Sequence, residues 1–292
     1  MKPVDFVPGF DPGWLAAREP ADHAARAADL AAELAGALRA AGGELVVHDL
    51  GSGTGSLARW LAPRLPGPQR WVLHDRDPRL LQLARRRTAE LTDADGGAVR
   101  VDTATGDLTA LRAADLAGAS AVTASALLDL LTAAEVDALA AACAGAGCPV
   151  LWTLSVTGDV RIDPPDPLDD AVTAAFNAHQ RRPGPGGALL GPDAADATAR
   201  ALRRHGMVVR EAETPWRLDA GHPEMLDEWL RGRAAAAVEQ EPGLAAEARR
   251  WLADRLAAVA DRGLTALVSH RDLLAVPDRL APAGPRPSEV AP

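Results

Sequence analysis

The sequence of 292 residues predicts an α/β fold, a doubly wound and mostly parallel seven-stranded sheet with helices on both faces, joined by an N-terminal helix and an inserted helical cap. Two observations carry that prediction. Short apolar runs of strand character alternate with stretches of helical period, and three glycines stand where the first such run meets its helix, in Asp49-Leu-Gly-Ser-Gly-Thr-Gly55. Parallel strands need a connecting element with one preferred hand, so the alternation itself implies a sheet covered on both sides.

The elements follow in order. Over residues 22–41 apolar side chains recur at Ala27, Leu30, Ala31, Leu34 and Leu38, the helical period, and Gly42-Gly43 stops it. A buried strand is expected at 45–50, a helix at 56–61 and a second strand at 71–74. Asp77-Pro78 then supplies an N-cap followed by proline at the first helical position, which opens a helix through Leu80, Leu81 and Ala84. Strands at 99–103 and 120–124 come next. Thr132-Ala-Ala-Glu135 has the spacing of a capping box, and a strand at 149–156 follows its helix. A helix at 193–205 and strands at 207–212 and 264–276 complete the scheme.

Residues 1–42 are thus expected to form an N-terminal helical segment and 43–276 the core, with insertions at about 158–192 and 221–262. The first insertion holds a helix near 168–180 with Leu168, Val172, Phe176 and His179 on one face; the second holds two amphipathic helices. Both insertions are expected to cap the sheet. Residues 277–292 form a Pro-rich tail, expected to be poorly ordered.

A net charge of -9 disfavours a nucleic-acid partner, because such affinity rests on clustered cations. Cys143 and Cys148 lie five apart with no nearby His or second Cys pair, so neither a metal site nor a disulfide is indicated. No apolar run reaches the roughly 18 residues of a membrane span, and the first residues do not read as a signal sequence. A cytoplasmic protein with no membrane partner is expected, its oligomeric state left open.

The glycine loop has the spacing GxGxG, whereas a loop that seats a pyrophosphate on a helix N-terminus has GxGxxG. Its root is Asp49, and a carboxylate there suits a ligand with positive charge, such as a sulfonium and an α-amino group. On Asp49-x-Gly51-x-Gly53-x-Gly55 the chain resembles the class I S-adenosylmethionine-dependent methyltransferases, over about residues 43–215. The resemblance implies S-adenosyl-L-methionine as cofactor and S-adenosyl-L-homocysteine as product, held at Asp49, Gly51, Ser52, Gly53 and Gly55. It also implies that Asp75, with Arg76 beside it, meets the ribose hydroxyls, since a carboxylate accepts from two vicinal donors. Gly106-Asp107-Leu108 corresponds to the adenine contact and Ser125 to the lining of the transfer site. Arg18 or Arg26 is the candidate partner of the cofactor's carboxylate.

The expected reaction is methyl transfer to a small-molecule acceptor enclosed by the two insertions, at oxygen, nitrogen or carbon. Positioning and exclusion of water carry most of the rate; a base is needed only where the acceptor must lose a proton. His179 is the first candidate for that base and Asp129 the second. Trp216 and Phe176 are candidates to line the acceptor pocket, with core packing as the alternative for Trp216. The rival readings are a nicotinamide-dependent oxidoreductase on the same sheet and a non-catalytic module that binds adenosylmethionine.

Overall fold

In the computed structural model, which describes residues 11–184 and 186–280, the first helix begins ten residues earlier than its periodicity suggests. Helix α1 spans Pro12–Ala25, and Asp11 caps it by accepting from the Gly13 and Trp14 amides at 2.7 and 3.1 Å, with Pro12 at the first position. This is the same Asp-Pro signal that opens the helix at Asp77-Pro78. The chain turns extended at Arg26 and Ala27 before α2, Ala28–Ala41. The single helix expected over 22–41 is therefore two. The cause is long-range: the Ala27 amide donates to Asp272 Oδ2 on the last strand at 2.9 Å.

The core alternates as predicted: β1 (Leu45–Leu50), α3 (Ser56–Leu61), β2 (Gln69–Asp75), α4 (Pro78–Arg87), β3 (Arg100–Thr105), β4 (Ala121–Ser125), α5 (Ala133–Ala146) and β5 (Val150–Asp163). Asp77 caps α4, and Thr132 with Glu135 closes a capping box on α5. Helix α6 (Asp169–Gln180) and a two-residue ribbon, β6 (Pro183–Gly184) with β7 (Gly187–Ala188), lead to α7 (Ala194–Arg204). The chain closes with β8 (Met207–Glu213), β9 (Trp216–Leu218), α8 (Pro223–Gln240), α9 (Ala245–Ala260) and β10 (Thr265–Pro277).

The main sheet runs β3-β2-β1-β4-β5-β10-β8, with β9 beside β10, giving eight strands where seven were expected. Strands β1 to β5 pair in parallel, and β10 runs antiparallel to β5, β8 and β9. Strand β5 continues to Asp163, well into the segment read as an insertion, because the first part of β10 pairs with it as far as Thr265. The eighth strand, β9, is three residues long and pairs only with that extension.

Two apolar layers flank the sheet. One contains Leu34, Leu38, Trp60, Leu61 and Trp71; the other contains Val136, Leu139, Trp152 and Leu202. A third layer joins α6, α8 and α9 to the β5–β10 extension through Val172, Trp229, Leu230, Trp251, Ile162 and Val268. This is the cap, and it extends the sheet instead of interrupting it. Pro277 ends β10, residues 278–280 form a helical turn, and the rest of the expected tail, like residues 1–10, lies outside the described residues.

Strand order reverses between β1 and β4, where ligands of open α/β sheets bind at the carboxyl ends. The three-glycine loop leaves β1 at that point.

Candidate functional site

The loop is shaped by its glycines. Gly51, Gly53 and Gly55 all have positive φ, 62°, 53° and 80°, which side chains with a Cβ rarely adopt. Strand β2 fixes it: the Ser52 amide donates to the His74 backbone carbonyl and the Gly53 amide to the Asp75 side chain at Oδ2, both at 2.9 Å. The other Asp75 oxygen accepts from the Asp77 amide at 2.9 Å, and the Asp75 carbonyl accepts from Gly106 at 3.2 Å. Register does the rest. Asp49 stands beside Leu73 and Thr123, so the ends of β1, β2, β3 and β4 meet in one place.

Asp49 is the unusual group of this meeting point. It is 1% exposed, and only Oδ1 has a partner, the Thr123 hydroxyl at 2.7 Å. Oδ2 is buried without one, as are Ser52 Oγ and Arg26 Nε. Burial pushes the Asp49 carboxyl up to about 7, against the pull of the Thr123 hydrogen bond and the Arg26 charge. A buried polar atom without a partner is costly, so each of these atoms has bonding capacity left for a ligand. Asp49 offers an acceptor for a cation and Arg26 a donor for an anion. An amino acid zwitterion needs those two.

Helix α1 covers the loop. A Cβ on Gly53 would stand 3.4 Å from the Leu15 side chain, and one on Gly51 only 2.9 Å from Leu127, in the turn after β4. Glu19 takes Arg59 of α3 at 2.8 and 2.6 Å, and His23 approaches the Ser56 carbonyl at 3.2 Å. Arg26, buried at the end of α1, bridges Ser125 Oγ at 3.1 Å and Ser56 Oγ at 3.4 Å. Leu15 and Leu127 therefore stand close over the glycines. A cavity of ≈ 470 Å³ is lined by Thr157, Arg161, Arg217 and Ser269 on the extended ends of β5, β9 and β10.

The other expected residues divide. Asp107 caps the turn after β3 by accepting from the Thr109 amide and hydroxyl, which hold its carboxyl below the usual range, and Arg76 adds to that. Leu108 packs into the α5 layer. Arg18, a candidate for the cofactor's carboxylate, is instead bound to Asp22 and stacked 5.0 Å from the centroid of the Trp216 ring. Arg26 holds the place beside Ser125. Trp216 is 4% exposed, donates to Asp22 Oδ1 at 3.0 Å and meets Trp14 edge-on, so its packing alternative describes it. Asp129 is half-buried in the turn after β4, and burial raises its carboxyl.

His179 and Phe176 are not with them. His179 approaches Glu239 Oε2 at 3.0 Å and touches Arg182, a polar set in the cap, and Phe176 lies under the Arg233 guanidinium at 4.4 Å. The helical face was read correctly, but it packs on α8, whose partners periodicity does not reveal. Four residues escaped the sequence reading: Thr123, Asp22, Trp14 and Asp272. Thr123 carried a signal, a hydroxyl inside the otherwise apolar stretch from Ala121 to Ala124 of β4. Asp272 carried another, a carboxylate within a buried strand; it accepts from Ala27, Leu154 and Thr214 at 2.7–2.9 Å.

Compared with known proteins, residues 47–146 match the model of a family described as a methyltransferase domain. No curated protein sequence matches the chain. Among solved structures it is similar to a SAM-dependent methyltransferase from Geobacter sulfurreducens in complex with S-adenosyl-L-homocysteine, at 18% identity over 91% of this chain and 98% of that one, TM-score 0.46. It is also similar to the cyclopropane synthase MmaA2 from Mycobacterium tuberculosis, at 11% identity over 84% and 83%, TM-score 0.45. An O-methyltransferase family protein from Burkholderia thailandensis is 24% identical over 63% and 51%, TM-score 0.42. Likenesses this distant carry no chemistry over to this chain.

Proposed function

We propose, starting from the match of residues 47–146 to the model of a methyltransferase-domain family, that this protein transfers the methyl group of S-adenosyl-L-methionine to a small-molecule acceptor. The observation that carries the reading is the buried, unpartnered Oδ2 of Asp49 at the root of a three-glycine loop. When bound, S-adenosyl-L-methionine supplies an electrophilic methyl on a sulfonium and an ammonium that such a carboxylate accepts. Arg26, through its unpartnered Nε, is the group for the cofactor's carboxylate, with Ser125 and Ser52 as hydroxyl neighbours. Asp75 meets the ribose hydroxyls with the lone pairs that Gly53 and Asp77 leave free. Gly106, Asp107 and Leu108 flank the adenine, since Gly106 is tied to the Asp75 carbonyl.

The chain's own contribution is position and dryness. Leu15, Leu127 and α1 keep water from the loop, and a dry, fixed geometry is what an in-line displacement needs. The reaction belongs in the cytoplasm, where the buried thiols of Cys143 and Cys148 stay reduced. Among the described residues no helix is long and apolar enough to cross a membrane.

Calorimetric titration with S-adenosyl-L-homocysteine is the test. The wild type binds it and does not bind NADH, and Gly53→Val weakens binding by tenfold or more, because the residue sits at φ 53° with Leu15 above it. NADH binding without S-adenosyl-L-homocysteine binding, or full affinity in Gly53→Val, contradicts the reading.

A further inference from the structure

Asp272, on β10, is a fully buried carboxylate outside the set that meets the cofactor. Its partners are neutral donors from three parts of the chain. Oδ2 accepts from the Ala27 amide between α1 and α2 at 2.9 Å, and Oδ1 accepts from the Leu154 amide of β5 at 2.7 Å and the Thr214 hydroxyl at 2.8 Å. No ion pair joins it among the described residues. Burying a carboxylate is costly, and an apolar side chain would fill a core position at less cost. What Asp272 fixes accounts for it.

Those contacts lie on both sides of Ser125. The Ala27 amide belongs to the peptide bond that joins Ala27 to Arg26, so this clasp sets the backbone from which Arg26 reaches Ser125 Oγ at 3.1 Å. On the other side, Leu154 has φ 57°, and Ala126, directly after Ser125, has φ 49°. The two are tied together, since the Ala126 amide donates to the carbonyl of Thr153, next to Leu154, at 2.9 Å. Strained backbone persists only where its surroundings hold it, and it gathers at functional sites. One carboxylate thus anchors the Arg26 backbone and the strained step beside Ser125 to the same point of β10.

We propose, resting on the methyltransferase reading, that Asp272 is a positioning residue: through the Ala27 and Leu154 amides it holds Arg26 against Ser125, where the guanidinium meets the carboxylate of the cofactor. Asp272 itself touches no ligand. Arg26 Nε is buried without a partner, so a guanidinium held in this direction has a donor left for an anion. Such a contact weakens steeply as its alignment is lost. Opening the clasp therefore weakens the hold on the amino acid end of the ligand and spares the adenosine end, assigned to Asp75 and residues 106–108.

Calorimetric titration with two ligands separates positioning from a structural role: S-adenosyl-L-homocysteine, and 5′-methylthioadenosine, which keeps the adenosine and the thioether but lacks the amino acid. Asp272→Asn turns an NH2 group toward one set of donors. It is expected to weaken S-adenosyl-L-homocysteine about tenfold, the scale of one charge-assisted contact, and 5′-methylthioadenosine less than about twofold. Ala27→Pro opens the clasp from the other side, because the proline ring suits the φ of -66° at Ala27 but has no N–H to donate. The same pattern is expected. On an Arg26→Ala background Asp272→Asn adds less than about twofold, since the guanidinium it acts through is gone. Equal weakening of the two ligands in both variants, no weakening in either, or full additivity with Arg26→Ala overturns the role. If the wild type then binds S-adenosyl-L-homocysteine, the methyltransferase reading stands without it; if the wild type does not bind S-adenosyl-L-homocysteine, that reading falls and the role falls with it.

Discussion

Asp49 makes the pH dependence of cofactor binding predictable. Its carboxyl is pushed up to about 7 by burial, so below that pH the free protein holds it protonated. An ammonium ligand requires the ionised form, and binding must then release a proton. Affinity for S-adenosyl-L-homocysteine is therefore expected to fall by up to about tenfold per unit as pH drops below 7, and to level off above it. The folding linkage has its own sign. Between the ordinary carboxylate range and 7 the native state holds a proton that the unfolded chain has lost, so Asp49 lowers stability as pH rises through that window. Calorimetry across pH 5.5–8.5 checks the first effect, and Asp49→Asn should flatten it; an unchanged slope in the variant contradicts the assignment. Asp49, Asp75 and the glycines were legible in the sequence because one strand-turn-helix unit fixes them locally. Trp14, Asp22 and Asp272 were not, because their partners lie up to 245 residues away, as for the Asp272–Ala27 bond.

At the scale of the element, α1 sets access to the loop. Its start was written in Asp11-Pro12, yet Pro20 within it and the extended step at Arg26 and Ala27 break the period that would have announced it. Only tertiary contacts hold it where it is. Glu19 is its strongest link to α3, a half-buried ion pair with Arg59, and the removal of such a pair costs about 1 kcal/mol. Where α1 must lift to admit the cofactor, Glu19→Gln raises the association rate of S-adenosyl-L-homocysteine about fivefold, which is that energy expressed as a rate. Stopped-flow binding measures it. An unchanged association rate means that the loop is reached with α1 in place.

Across the whole molecule, the sheet and the cap form distinct apolar layers. Alternation in the sequence was enough to foresee the parallel half, since each strand-helix unit carries its own caps and stops. The antiparallel half was harder to read: β5 and β10 extend each other, and β9 exists only as a partner of that extension. The same long-range pairing moved His179 and Phe176 away from the loop and into the α6–α8 contact, while it drew Trp216 toward α1. The central claim is that one ligand site lies where β1, β2, β3 and β4 end beneath α1. Amide hydrogen exchange with and without S-adenosyl-L-homocysteine tests it most directly. Protection is predicted at residues 49–56, 75–77, 106–108 and 123–129 and along α1, with α8 and α9 unaffected; protection confined to α6, α8 and α9, or none at the glycine loop, would contradict it.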